Sequence, residues 1–267
     1  MEEESKHLKV SRQFSEIPYN NEDIKRIWGD TNGFRLFISH NSKDKVYAQK
    51  IKEKLEEINI SCFVAHEDIA PSIEWPVELE KALNTLDACL CLLTEDYHKG
   101  DWPDHELGYA YGQGKMVIPV DLGKSPYGIL QKIQAIKISG GLSGLVNADS
   151  FNYLMNRIIK VLLDNRETSE ILKEAYVYAI ENSCSYDNSF VLSKYFDYFE
   201  SFNDDQVKRI LKAFVENSQV RESFAFINNI NNKLMQWNPN LFPDYYAIEE
   251  EKKILEREYK DKFLRFY

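Results

Sequence analysis

Two stretches of the chain hold residues whose types and spacing could do chemistry. Phe34–Asp44, FRLFISHNSKD, is an apolar run that ends in three hydrogen-bonding side chains, Ser39, His40 and Asn41. Asp101–Val120, DWPDHELGYAYGQGKMVIPV, places Glu106 just after Pro103 and then returns to an apolar run. A lone carboxylate beside hydroxyl and amide groups suits a neutral or cationic small molecule, because its charge stabilises positive charge as it develops. Pro103 fits the first turn of a helix, where its missing N–H costs nothing. Glu106 then falls near the helix start, where unpaired N–H groups favour the ionised form. Leu107 and Ala110 are expected to face the core, which puts the acid at a polar border. The competing reading is a surface glutamate that caps its helix.

Further candidates follow from position. Phe37, Ser39, His40 and Asn41 end the first apolar run and would line a cleft at its tip. For Phe37 the alternative is core packing. For the other three it is capping of a helix that begins near Lys43. Arg35 is a candidate phosphate partner, although alternation with Phe34 and Leu36 leaves its side open. Trp75 stands at a helix start and either stacks on a base or packs. Trp102 is placed to brace the helix of Glu106. Asp68 and Glu74 lie in the loop AHEDIAPSIE (Ala65–Glu74), as contacts between subunits or as solvated acids.

These residues need a frame, and the apolar pattern supplies one. Strands are expected at Phe34–Ser39, Ile60–Val64, Ala88–Leu93 and Met116–Val120, with a weaker one at Ala135–Ile138. Between them run helical stripes over Lys43–Glu57, from Trp75 to Leu86, and from Pro103 to Gly112. Phe151, Leu154, Met155, Ile158, Ile159 and Leu162 line a further helix face. Strict alternation of the two periods argues a parallel sheet covered on both faces. A short helix is expected at Asn21–Trp28, within a polar extension over residues 1–33. After the polar junction DNRETSE the strand pattern stops. Stripes through Ile171/Leu172/Ala175/Tyr178/Ala179, Val207/Ile210/Leu211/Phe214 and Val220/Phe224/Ile227/Leu234 predict an all-helical domain over 166–267, closed by a helix within Tyr246–Tyr267. The divisions expected are therefore 1–33, 34–165 and 166–267.

Bulk properties narrow the partners. A net charge of -10 and no long Lys/Arg run make nucleic acid a poor partner, since its phosphates need neutralising. The first residues, MEEESKHLKV, contain no apolar run, and no stretch is long and apolar enough to span a bilayer, so a cytoplasmic protein is expected. Cys62, Cys89 and Cys91 fall in expected strands, Cys184 in a polar turn, and no CxxC pair occurs. Buried thiols rather than metal ligands follow, with no metal or resident cofactor expected. No GxGxxG follows the first strand, which counts against hydride transfer from a bound dinucleotide.

The segment from Phe34 to about residue 163 resembles a toll/interleukin-1 receptor (TIR) domain, of the bacterial kind. The resemblance rests on Phe37-Ile-Ser-His40, Asn41-Ser-Lys-Asp44, the loop Ala65–Glu74, Asp101-Trp102 followed by Glu106, and Gly114-Lys-Met-Val-Ile-Pro119. Pro103 departs from several enzymatic relatives. The resemblance implies an α/β fold with a flavodoxin-like, five-stranded parallel sheet. It also implies that Glu106 is the catalytic acid of an NAD+ glycohydrolase, and that NAD+ is substrate rather than cofactor. Phe37, Ser39, His40, Asn41, Asp68, Trp75 and Trp102 would then border the nucleotide. Self-association through TIR domains, antiphage defence and a phage-derived or protein trigger are implied likewise. An ADP-ribose cyclase shares the first step with the hydrolase. A non-enzymatic interaction module and a nucleoside-processing deoxyribosyl transferase are the readings from other classes. Release of nicotinamide from NAD+ by the pure protein discriminates among them.

Overall fold

Strand β1 (Phe34–Ser39) is buried along nearly its whole length, so it belongs inside a sheet with layers on both sides. The computed structural model describes residues 18–29, 32–64, 75–221, 223, 233–234 and 236–241, and places β1 so. With β2 (Ile60–Val64), β3 (Ala88–Leu93), β4 (Met116–Asp121) and β5 (Ile136–Lys137) it forms a five-stranded sheet of order β2-β1-β3-β4-β5. Every pairing is parallel. This is the flavodoxin-like arrangement, and an α-helical region follows it. The chain leaves β1 for β2 on one side and reaches β3 on the other, so a crevice opens where the C-terminal ends of β1 and β3 diverge.

Side chains alternate across β1. Phe34, Leu36 and Ile38 enter the core shared with helices α2 (Lys45–Glu56) and α6 (Ala148–Asp164). Phe37 enters the opposite core with Phe63, Cys89, Cys91, and the apolar faces of α3 (Trp75–Thr85) and α4 (Pro103–Gly112). Ser39 is next in register after Phe37 and therefore points the same way, toward α4. Helix α1 (Asn21–Trp28) is pinned to α3: Arg26 donates to both carboxylate oxygens of Glu78 at 2.8 Å, and Trp28 Nε1 donates to Thr85 Oγ1 at 2.8 Å.

Three elements differ from the pattern-based expectation. The helix expected from Lys43 opens with a 3-10 turn, Ser42–Asp44, because Asn41 Oδ1 accepts the Lys43 N–H at 3.1 Å and tightens the start. The fifth strand shrinks to Ile136–Lys137, paired only with Val120 and Asp121. The chain then turns away through Gly140 and Gly141, at φ 79° and 59°, into the short helix α5 (Gly141–Gly144). Ile171, expected in an apolar stripe, is 40% exposed. Leu172 and Ala175 of that stripe are buried as expected, and Tyr176, Val177 and Ile180 complete the face.

Asn165 sets the junction into the helical region. It ends α6, and its side chain accepts the N–H groups of Glu167 and Thr168 at 3.0 and 3.2 Å, capping α7 (Arg166–Glu181). Helices α8 (Tyr186–Tyr195), α9 (Asp204–Glu216) and α10 (Ser218–Arg221) follow, α9 capped by Asn203. Leu172, Ala175, Tyr176, Val177 and Ile180 belong to the same apolar cluster as Phe34, Leu36 and Ile60. Tyr176 stacks on Phe199 at 4.3 Å between ring centres and donates to the Leu192 carbonyl at 2.5 Å. The aromatic run Tyr195–Phe199 is thus largely core: Tyr195, Phe196 and Phe199 are buried. The loop Ala65–Glu74, with Asp68 and Glu74, lies outside the described residues, as do the side chain of Trp75, Phe224, Ile227 and the expected helix in 246–267. No helix among the described residues is long and apolar enough to cross a membrane.

Because Leu172 joins the helices to the sheet's core, Leu172→Ala is expected to lower stability by about 2–5 kcal/mol. Denaturant unfolding should remain one transition, moved to a lower midpoint. Separate transitions for sheet and helices would contradict a shared core.

Candidate active site

The Glu106 carboxyl is 2% exposed, so it lies inside the protein rather than at a polar border. Leu107 and Ala110 beside it enter the sheet-facing core, as their spacing predicts. Ser39, directed to the same side by the pleat of β1, donates from Oγ to Glu106 Oε2 at 2.6 Å. The Tyr97 hydroxyl lies 2.8 Å from Ser39 Oγ and donates to the Pro103 carbonyl at 3.2 Å. Tyr97 comes from a 3-10 turn, Tyr97–Lys99, after β3. One strand end, one turn and the first residues of α4 thus converge on a single carboxyl.

Burial dominates its electrostatics. Removal from water pushes the Glu106 pKa from 4.5 up to about 7, and the hydrogen bond from Ser39 opposes the rise. The expected stabilisation of the ionised form by the helix start is outweighed. Glu106 already stands one position beyond the first three residues of α4, and its own N–H is bonded to the Trp102 carbonyl at 2.9 Å. Desolvation also pushes the Tyr97 pKa well up, so the phenol is neutral. Cys89 and Cys91 sit below it with their sulfurs 3.8 Å apart. The Cys89 thiol is held well above its ordinary pKa by its contact with Cys91 and by burial.

The remaining candidates divide into two groups. Phe37 is fully buried and packs on Phe63 at 5.4 Å, one layer beneath Ser39. His40 is buried, its Nδ1 3.1 Å from the Ile38 carbonyl. Asn41 works as a cap and a strut: besides Lys43 N–H, it reaches the Asp96 carbonyl through Nδ2 at 2.7 Å. Trp102 is the residue preceding α4, 37% exposed, and meets His105 edge-on at 6.1 Å. Arg35 lies at the other end of β1. It flanks a cavity of about 330 Å³ with Asp87, Glu174, Tyr178 and Arg209, four residues of strand, or roughly 13 Å, from Ser39. It does not reach the Glu106 site.

Sequence reasoning missed Tyr97 and the Asp44–Thr94 pair. Thr94 Oγ1 donates to Asp44 Oδ2 at 2.6 Å and ties the turn after β1 to the turn after β3. The available signal for Tyr97 was a single aromatic in the polar stretch TEDYHKG at a strand end. Asp44, Thr94, Asp96, Gly123, Gly141 and Ser143 line a cavity of about 400 Å³ over the strand ends, and its lining includes neither Ser39 nor Glu106. Among the described residues no cluster of three or more His, Cys, Asp or Glu has a metal-binding arrangement.

A group whose folded pKa is raised binds its proton more tightly folded than unfolded. Stability from Glu106 is therefore full below about pH 4.5 and is lost as pH rises toward 7. Glu106→Gln, neutral at every pH, should match the natural protein near pH 5. By pH 8 it should exceed it, by up to about 3 kcal/mol. Thermal or denaturant unfolding at both pH values checks this, and a variant equally offset at both would refute it.

A family model described as the TIR domain matches residues 36–155. Among solved structures, the chain is similar to the TIR domain of a Toll-related receptor from the lower metazoan Hydra magnipapillata. Identity is 16%, coverage is 49% of this chain and 99% of that one, and the TM-score is 0.39. No curated protein matches. Residues 36–155, which hold the Ser39–Glu106 contact and nearly all of the parallel sheet, match the TIR domain, and a TIR domain is present in this chain.

Proposed function

We propose that this TIR domain cleaves the bond between nicotinamide and ribose in NAD+, with Glu106 as the catalytic carboxylate. The observation that carries the reading is the 2.6 Å contact between Ser39 and Glu106 at the C-terminal end of β1, beside the crevice where ligands of open parallel sheets bind. A perturbed carboxyl at such a place is a mark of function as well as of burial. As the C1′–N bond breaks, its electron pair leaves with nicotinamide and cancels the ring's positive charge. Positive charge then develops on C1′ and the ring oxygen. An ionised Glu106 held by Ser39 stabilises that charge in a dry site. Water adds its oxygen to C1′ and releases a proton, giving ADP-ribose. A ribose or adenine nucleophile of the same molecule would give a cyclic product by the same first step.

A second reading, a TIR module that works by binding other TIR domains, is favoured by the closure of the site. Glu106 is 2% exposed and lines none of the described cavities. The two readings meet if association opens the site. Under that proposal the loop 65–74 supplies the contact between domains, and the helical region acts as sensor or assembly surface. Antiphage defence by NAD+ depletion, with a phage-derived or protein trigger, is the setting we propose.

Nicotinamide release from NAD+ by the pure protein tests the reading. Glu106→Gln should retain the fold and lose about 10²–10³-fold in turnover. Near-normal turnover in that variant would remove Glu106 from the mechanism. Since the ionised form is required and the pKa of the free protein is about 7, kcat/KM should fall about tenfold per unit as pH drops below 7. Specific activity should also rise with protein concentration. If it is constant on dilution and a monomer is active, the association requirement fails.

A further inference from the structure

Three polar atoms cluster beside the Glu106 carboxyl: Ser39 Oγ, the Tyr97 hydroxyl and the Pro103 carbonyl, which is 3.5 Å from Ser39 Oγ; only Ser39 has so far been given work. The Tyr97 side chain is fully buried, yet its hydroxyl is placed within 2.8 Å of Ser39 Oγ and 3.2 Å of the Pro103 carbonyl. A phenylalanine would fill the same volume without burying a hydroxyl, so the hydroxyl needs a polar reason. Ser39 carries one proton and Tyr97 carries one. With Glu106 ionised, Ser39 gives its proton to Oε2 and can accept that of Tyr97. With Glu106 protonated, the acid can donate to Ser39, Ser39 to Tyr97, and Tyr97 to the Pro103 carbonyl. Both arrangements satisfy every hydrogen without moving a heavy atom.

We propose that Tyr97 is a positioning residue for Glu106: its hydroxyl, beside the start of α4, donates to Ser39 and holds it so that the serine proton is presented to the Glu106 carboxylate. The charge on Glu106 polarises the chain, and hydrogen bonds in series strengthen one another most when one end is ionic. Loss of the Tyr97 hydroxyl therefore weakens the ionised arrangement more than the protonated one. This deepens the reading of Glu106 as the catalytic carboxylate and rests on it for its purpose, though not for its measurement.

The surroundings leave the chain as the principal control. Among the described residues no Lys, Arg or His forms an ion pair with Glu106. From α3 the neighbouring core side chains are Leu79, Ala82 and Leu83, from the turn after it Leu86, and from β4 Val117. Buried Glu78 and Thr85 on α3 are engaged by Arg26 and Trp28. On α4, Asp104 accepts from the Tyr127 hydroxyl at 2.6 Å and His105 packs on Trp102. His40 turns Nδ1 to the Ile38 carbonyl. Below the chain β3 offers only the paired thiols of Cys89 and Cys91.

The test follows the carboxyl directly, by the infrared band of its protonated form in the full-length protein, assigned by its disappearance in Glu106→Gln. Tyr97→Phe should raise the titration midpoint by about half a unit or more, the effect of one hydrogen bond of ordinary strength. In a Ser39→Ala background the same change should add nothing, because Tyr97 acts through Ser39. An unmoved midpoint in folded Tyr97→Phe, or an equal shift without Ser39, overturns the proposal. If Tyr97→Phe does not fold, a ring-fluorinated tyrosine at position 97 keeps the hydroxyl and makes it a stronger donor. The midpoint should then fall, and a midpoint unchanged or raised overturns the proposal. Wild-type activity is measured in parallel. A midpoint shift in a protein that releases no nicotinamide even when concentrated into its associated form supports the Tyr97 role and defeats the NAD+ reading. Glu106-dependent turnover without a shift defeats the Tyr97 role alone.

Discussion

A carboxyl group with almost no access to water has few ways to exist, and the structure around Glu106 is organised by that constraint. Desolvation penalises the charge, and the described residues offer no cation to offset it. The compensation is one short hydrogen bond from Ser39. That bond requires β1 to end in register with the first turns of α4. The register in turn follows from the pleat, which sends Phe37 and Ser39 to the side opposite Phe34, Leu36 and Ile38. A slip of one residue in β1 would turn Ser39 into the α2–α6 core and leave Glu106 facing apolar atoms. The apolar alternation of one strand therefore fixes both the fold and the acid.

The two ends of the sheet are used differently. At the C-terminal ends of β1 and β3, the turns are tied by polar contacts: Asn41 to the Asp96 carbonyl, and Thr94 to Asp44. At the N-terminal end the ties are also load-sharing with the helices. Arg35 N–H donates to Asp87 at 2.8 Å, and Asn59 Nδ2 donates to the Ala175 carbonyl of α7 at 3.0 Å. Helix α7 thus packs where the strands begin, while the acid lies where they end.

Much of this frame was legible in the sequence because it depends on period alone. The first four strands, the helix after Pro103 and the stripe Leu154–Leu162 are apolar patterns strong enough to survive any arrangement around them. What depended on local polar competition was less legible. Asn41 redirected the start of the helix after β1, and the glycine pair at 140–141 ended β5 early. At the site, residue type and spacing singled out Glu106 and Ser39, but not their depth. Position along α4 argued for an ionised acid, whereas depth decides for a raised pKa, and depth is a property of packing from several elements at once. Tyr97 was invisible for the same reason: its role lies in two contacts, to residues 58 and six positions away.

That no cation pairs with Glu106 among the described residues has a chemical meaning on the proposed reading. A carboxylate paired with arginine or lysine is already neutralised, and its field at a ligand is correspondingly weak. Glu106 has instead a neutral donor on one oxygen, so its charge, once formed, remains available to a positive centre. A cationic ligand brought close would favour the ionised form and lower the pKa that burial raises. Binding of such a ligand and loss of the Glu106 proton are then linked, each promoting the other. An acid held neutral when the site is empty and ionised by its own cationic substrate costs the closed protein little. It acquires its catalytic charge only where that charge has something to stabilise.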